Sequence, residues 1–198
     1  CRFWELDREK THALPLSALM DYGGGTLTPR VLERVVQGHG HRLVNPGKQQ
    51  LDFEDFVFFC LSEEDKNSYA AKRYWFNVVD LDADGIISGH EMAYFFEEQI
   101  ERFEAFAAED LKYEDMLCQM LDMFVPSLPH RQGITFDDIR DCETAEHFFN
   151  MLFNATKFWN FEHRDPFAES QQRTAFEKTA WDRFARAEYD RMAQEAGQ

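Results

Sequence analysis

Residues 80–91 read Asp80-Leu81-Asp82-Ala83-Asp84-Gly85-Ile86-Ile87-Ser88-Gly89-His90-Glu91. Acids at the first, third and fifth places put three carboxylates on one short loop. Gly85, at the sixth place, permits the sharp turn that such a loop needs. Ile86 at the seventh place offers its backbone carbonyl, and Ser88 at the ninth is placed to hold a water on a metal. Glu91 at the twelfth can close the shell with two oxygens. That closure favours Ca²⁺, with its larger coordination number, over octahedral Mg²⁺. A polar turn that matches six constrained places by accident is the weaker reading.

The pattern is that of an EF-hand calcium loop, and its flanks agree. Tyr74, Trp75, Val78 and Val79 form an apolar stripe before it; Met92, Phe95, Phe96 and Ile100 recur at helical steps after it. Ile87, at loop position 8, is the residue that pairs with a partner loop. A single hand leaves an apolar face uncovered, so further copies are expected. An apolar position 8 with position 12 four residues later recurs at Leu51 with Asp55 and at Ile134 with Asp138. Leu14 with Ala18 is a weaker copy. The anchors at 14, 51, 87 and 134 are spaced by 37, 36 and 47 residues. The expected fold is therefore all-α, with two pairs of helix–loop–helix hands, mostly with degenerate loops, and a C-terminal helical extension. The expected divisions are a degenerate EF-hand pair over 1–62, a pair with the intact loop over 63–143, and the extension over 144–198.

The other loops are poor in ligands. The loop that ends at Asp138 begins at Ser127 and carries Pro129, His130 and Arg131. The loop that ends at Asp55 begins at Val44 and contains Pro46 and Lys48. The first loop, from Asp7, has Glu9 and Thr11 at positions 3 and 5. His12 replaces glycine at position 6, and Ala18 gives no carboxylate at position 12. At most a weak site is expected there.

The 198 residues include 20 phenylalanines and carry a net charge of −16. That length supports a proper core, and the charge argues against nucleic acid and anionic membrane surfaces as partners. Cys1, Cys60, Cys118 and Cys142 lack the spacing of a zinc site. The longest apolar run, Phe56–Leu61, is too short to span a bilayer. The chain opens at Cys1 inside an aromatic helix end, which reads as a fragment. Thr28 and Pro29 mark a helix start. Residues 38–50 read as a polar loop, with His39 and His41 solvated rather than metal-bound. Residues 62–72 read as the link between pairs, with Ser62 as a helix cap and Asp65 at N3. A last helix is expected over Ala175–Ala193. No nucleophile elbow, zinc-protease motif or dinucleotide fingerprint occurs, so no enzyme constellation stands out.

Longer motifs carry a resemblance. Leu61-Ser62-Glu63-Glu64-Asp65-Lys66, Tyr74-Trp75-Phe76, the acidic loop and Tyr94-Phe95-Phe96-Glu97-Glu98-Gln99 follow one another in order. Asp115–Met123, Gly133-Ile134-Thr135, Phe161–Phe167 and Trp181–Tyr189 extend the series. Together they resemble the B″ family of protein phosphatase 2A regulatory subunits, and the last two segments are similar to its FASS (TONNEAU) branch. The resemblance implies a non-catalytic, calcium-binding subunit on the HEAT-repeat scaffold and catalytic subunits. It further implies a cytoplasmic role at the cytoskeleton: microtubule organisation, centrosome, basal body or cilium. The metal ligands are expected to be Asp80, Asp82, Asp84, Ile86, Ser88 and Glu91. The alternatives are a free calcium sensor, for which the chain has too few intact loops and too little methionine, and a structural cytoskeletal or ciliary scaffold without a phosphatase.

Overall fold

The computed structural model describes residues 2–106, 112–124 and 133–164. Helices α1 (Arg2–Leu6) and α2 (Leu16–Leu19) flank strand β1 (Ala13–Pro15); α3 (Pro29–Val36) and α4 (Phe53–Glu64) flank β2 (Gln50–Asp52). Then α5 (Tyr69–Val79) and α6 (Gly89–Phe106) flank β3 (Ile86–Ile87), and α7 (Tyr113–Asp122) and α8 (Phe136–Asp141) flank β4 (Ile134–Thr135). Helices α9 (Ala145–Phe153) and α10 (Ala155–Glu162) follow. The expected last helix and the start of the fourth loop, residues 127–132, lie outside the described residues.

The four anchors meet in pairs. Leu14 lies opposite Leu51 in the antiparallel β1–β2 ribbon, and Ile87 lies opposite Ile134 in β3–β4. All four are buried. Two-residue and three-residue ribbons are too short to be stable alone. They persist because each anchor seals the apolar faces of the helices around it.

Residues 1–159 form one compact unit and 160–198 a second. Of the second, residues 160–164 are described; Arg164 sits 3.7 Å above the Phe161 ring. In the first unit Trp75 is fully buried. Its ring lies 6.2 Å from Phe59 on α4 and 4.6 Å from Phe153 on α9. Its indole N–H donates to the Ser62 carbonyl at 2.7 Å. One side chain thus ties together the two hand pairs and the segment after them. Burying a side chain of this size contributes roughly 2–3 kcal/mol.

Pro29 opens α3 after Thr28, as expected. Ser62 does not cap a helix. It lies in the last turn of α4, buried by Trp75, and α4 runs on to Glu64. The cap of the next helix is Ser68, whose hydroxyl accepts the Ala71 N–H at 3.3 Å. The Ser-x-x-Asp pattern at 62–65 has cap spacing, but the packing of Trp75 onto the chain there keeps it helical. His41 is likewise not a plain solvated side chain: its ring stacks on Phe58 with centroids 4.1 Å apart.

Candidate metal centre

Helix α5 ends at Val79, and Asp80 leaves it with extended backbone (φ −67°, ψ 99°). Ala83 and Gly85 then take left-handed conformations, φ 59° and 87°. These two reversals fold the loop over itself. One oxygen from each of Asp80, Asp82 and Asp84 lies within 4.8 Å of the others, a group that could hold a metal ion. Asp82 and Asp84 are exposed, whereas Asp80 is buried. Local bonds hold each acid: Asp80 Oδ2 accepts Gly85 N–H at 3.0 Å, Asp82 Oδ1 accepts Asp84 N–H at 3.2 Å, and Asp84 Oδ1 accepts Ile86 N–H at 2.8 Å.

The other oxygen of Asp80, Oδ1, is buried and has no hydrogen-bond partner among the described residues. Burial pushes the Asp80 carboxyl above its ordinary value; the Gly85 bond opposes this and the nearby Glu91 charge adds to it. An unsatisfied buried anionic oxygen is costly, and a cation would remove that cost. The donors are hard oxygens, and the charge is strongly negative. The set fits a hard dication of the calcium type.

Glu91 stands differently. Its Oε1 accepts Leu81 N–H at 2.6 Å, and its Oε2 accepts Ser88 N–H and the Ser88 hydroxyl at 2.7 and 2.8 Å. It therefore latches the two ends of the loop, and Ser88 is turned toward it. Ile86 lies in β3 opposite Thr135. The structure thus gathers Asp80, Asp82 and Asp84 into one cluster and sets Glu91 and Ser88 as a pair beside it.

Two degenerate loops keep the bond from the twelfth-position acid to the ninth residue. In the second hand, the Asp55 carboxylate accepts Val44 N–H at 3.1 Å and Asp52 N–H at 3.2 Å. In the fourth hand, Asp138 Oδ2 accepts Thr135 N–H and its hydroxyl at 2.8 and 2.6 Å. The first loop keeps the two reversals as well. Lys10 and His12, at positions 4 and 6, have φ 54° and 62°. There the Asp7 carboxylate is filled from within by Thr11 N–H at 2.8 Å and His12 N–H at 2.9 Å.

One residue beside the intact loop carries no local sequence signal. Arg34, near the end of α3, donates to the carbonyls of Val78 (2.9 Å), Asn77 (3.3 Å), Asp80 (2.5 Å) and Leu81 (3.5 Å). Only its distance in sequence hid it.

The chain was compared with known proteins. No family model matches it. It is 40% identical over 195 residues to B″epsilon of Arabidopsis thaliana, a probable regulatory subunit of protein phosphatase 2A, covering 98% of this chain and 36% of that protein. It is 38% identical over 200 residues to the human B″ alpha regulatory subunit, covering 98% of this chain and 17% of that protein. The FASS-type relative TON2, a probable B″ regulatory subunit of Arabidopsis thaliana, matches more distantly, at 28% over 165 residues, 82% of this chain and 34% of that protein. Among solved structures, a chain of a PP2A PR70 holoenzyme described as diCa superposes with a TM-score of 0.73 and 37% identity, over 81% of this chain and 57% of that one. The chain spans only about a third of the length of the B″epsilon relative. Its paired hands, its acidic loop and this likeness along nearly its whole length agree: the chain belongs to the B″ family of protein phosphatase 2A regulatory subunits.

Proposed function

We propose that this protein is a calcium-binding B″-type regulatory subunit, not itself an enzyme, which assembles with the phosphatase 2A scaffold and catalytic subunits. The observation that carries the reading is the 38–40% identity to B″ subunits over 98% of the chain. Calcium is the second part of the proposal. It rests on the oxygen cluster of Asp80, Asp82 and Asp84, on the orphaned Asp80 oxygen, and on Glu91, Ser88 and the Ile86 carbonyl at the remaining ligand positions. On binding, Glu91 would exchange its latch to Leu81 for the metal. The related PR70 holoenzyme is described as diCa, which agrees. A place at microtubule-organising structures in the cytoplasm is the outermost part. It rests on the resemblance of Phe161–Phe167 and Trp181–Tyr189 to the FASS branch alone.

An assembly surface is available on α4. Phe53, Val57 and Leu61 recur at four-residue steps along its outer face. They are 48%, 37% and 65% exposed, and Phe58 beside them is 42% exposed. The Trp4 ring, also half exposed, stacks near Phe53 with centroids 6.4 Å apart. An apolar stripe of this kind with charged Arg2 and Glu64 at its edge has the anatomy of a contact patch. Gel filtration of the chain with the purified scaffold–catalytic dimer, in calcium and in chelator, tests the proposal. Co-migration is expected. Separate elution in both conditions would refute the assembly reading for these residues.

A further inference from the structure

Helix α3 belongs to the second hand, yet it holds both helices of the third. Arg34 reaches the C-terminal end of the incoming helix α5 and donates to four carbonyls there. One turn earlier on α3, Arg30 reaches the outgoing helix α6. Its guanidinium pairs with Glu97 at 2.7 Å and lies 4.3 Å above the Tyr94 ring; its backbone N–H donates to Glu98 at 2.9 Å. It also donates to the Tyr94 carbonyl. On the apolar side of α3, Val31, Leu32, Val35 and Val36 are buried in the core. The helix packs against α2 of the first hand as well as α5 and α6.

The chemistry of the Arg34 contact decides what it does. The last turn of a helix leaves four carbonyls without intrahelical partners. Arg34 satisfies carbonyls in that turn of α5 and continues onto loop positions 1 and 2, Asp80 and Leu81. A planar guanidinium with several donors in fixed directions sets the angle at which a backbone leaves, which a flexible ammonium cannot do. A cation there also complements the negative end of the α5 dipole. The residue whose carbonyl it holds most closely, Asp80, is the one whose carboxylate carries the orphaned oxygen.

We infer that α3 is a strut that couples cation binding at the 80–91 loop to the first hand pair, with Arg34 as the positioning residue of the metal loop. The inference rests on the reading of that loop as a calcium site. Calcium in a hand alters the angle between its two helices. Here both helices are fastened to one rigid rod, so a change in their angle must move the rod or strain its arginine contacts. Movement of the rod reaches β1–β2, because α3 packs on the first hand and leads into the second loop. The coupling is reciprocal: a partner that shifts the first pair changes calcium affinity by the same factor.

The test uses the 198-residue chain, calorimetric titration with CaCl₂, and amide hydrogen exchange with and without calcium. In the wild type, calcium should slow exchange at 80–91 and 134–135, and also at 29–36, 13–15 and 50–52. In Arg34→Met, which keeps the stem but removes every donor, the slowing should stop short of 13–15 and 50–52. The calcium Kd should rise about tenfold, the lower end for loss of an outer-shell partner, because the lost positive charge offsets part of the lost geometry. Arg34→Lys should restore part of the transmission. Arg30→Met, whose contacts are nearer the surface, should weaken transmission independently, and it decides the question if Arg34→Met does not fold. Calcium binding by the wild type without any change at 13–15 and 50–52 would overturn the strut. So would full transmission in Arg34→Met or, if that variant does not fold, in Arg30→Met. Absence of any calcium heat in the wild type would remove the loop reading and the strut with it.

Discussion

Lys66 and Glu63 form an ion pair inside the protein, with Nζ 2.5 Å from Oε2 and both side chains almost wholly shielded from water. The contact is close but off the direction of a hydrogen bond, so Glu63 Oε2 gains charge without a well-aimed donor. The Glu63 Oε1 oxygen is better served, by Lys157 at 3.1 Å and Asn154 at 3.0 Å. The Lys66 ammonium also lies 5.6 Å from the ring centres of Trp75 and Phe153.

Burial lowers the Lys66 pKa to about 8, against the pull of Glu63. A depressed lysine contributes stability that is complete above its unfolded value of 10.5 and is lost as pH falls through about 8. Between those limits the unfolded chain binds the extra proton, so the wild type gains stability relative to Lys66→Met as pH rises. The gain is on the order of 3 kcal/mol. Urea unfolding of both proteins at several pH values from 7.5 to 10.5 checks it. Parallel curves would show that Lys66 keeps an ordinary pKa.

Asp80 should be a liability when the metal is removed. Its carboxyl is raised by burial, so its contribution is favourable below the ordinary 3.8 and is lost as pH climbs through the raised value. At neutral pH the ionised group is buried and half satisfied. Asp80→Asn keeps an acceptor for Gly85 and discards the charge. Melting in chelator should rise by a few degrees, while the calcium heat in calorimetry should vanish. A lower melting temperature in chelator would contradict this account.

Glu91→Gln separates latch from ligand. The amide oxygen can still accept Leu81 or Ser88 N–H, so the metal-free fold should hold within about 1 kcal/mol. Calcium affinity should fall at least tenfold, since a bidentate carboxylate is lost. Calorimetry reads the affinity and chemical denaturation in chelator reads the fold.

The first loop should accept a metal after two changes. It already has the left-handed residues at positions 4 and 6, with His12 held at φ 62°. A non-glycine residue there costs of order 1 kcal/mol or more. His12→Gly with Ala18→Glu supplies the missing glycine and the missing carboxylate. A second calcium event should appear in the calorimetric titration of the double variant. A single event identical to that of the wild type would show that Asp7 stays committed to Thr11 and His12.

The α4 stripe should matter for assembly and not for folding. Val57→Glu and Leu61→Glu alter exposed positions, so each should change stability by no more than about 0.5 kcal/mol. Together they should weaken co-migration with the scaffold–catalytic dimer at least tenfold. Unchanged co-migration would place the contact elsewhere.

Sequence made the pairing of the hands legible because the constraint is local. Leu14, Leu51, Ile87 and Ile134 each sit at position 8 of a loop, and a ribbon needs an apolar residue there. The carboxylate cluster was legible for the same reason: three acids two residues apart on a tight turn have nowhere else to go. Arg34 was not legible, since its meaning lies in carbonyls more than 40 residues away. Lys66 in Ser-Glu-Glu-Asp-Lys reads as a charged surface linker until Trp75 and Phe153 close over it. Ser62 misled because cap spacing is a local pattern, and Trp75 decides the matter from another helix.

The twelfth-position acids of three hands bond to the backbone of their own ninth residue, whether or not a cation could sit nearby. The loop therefore closes on itself before any metal arrives. A hand of this design can shed its calcium ligands one at a time and keep its turn, its ribbon and its place in the core. Metal dependence and architecture are separable traits in such a chain. That separability lets a chain keep the architecture of four hands while one loop gathers three carboxylates.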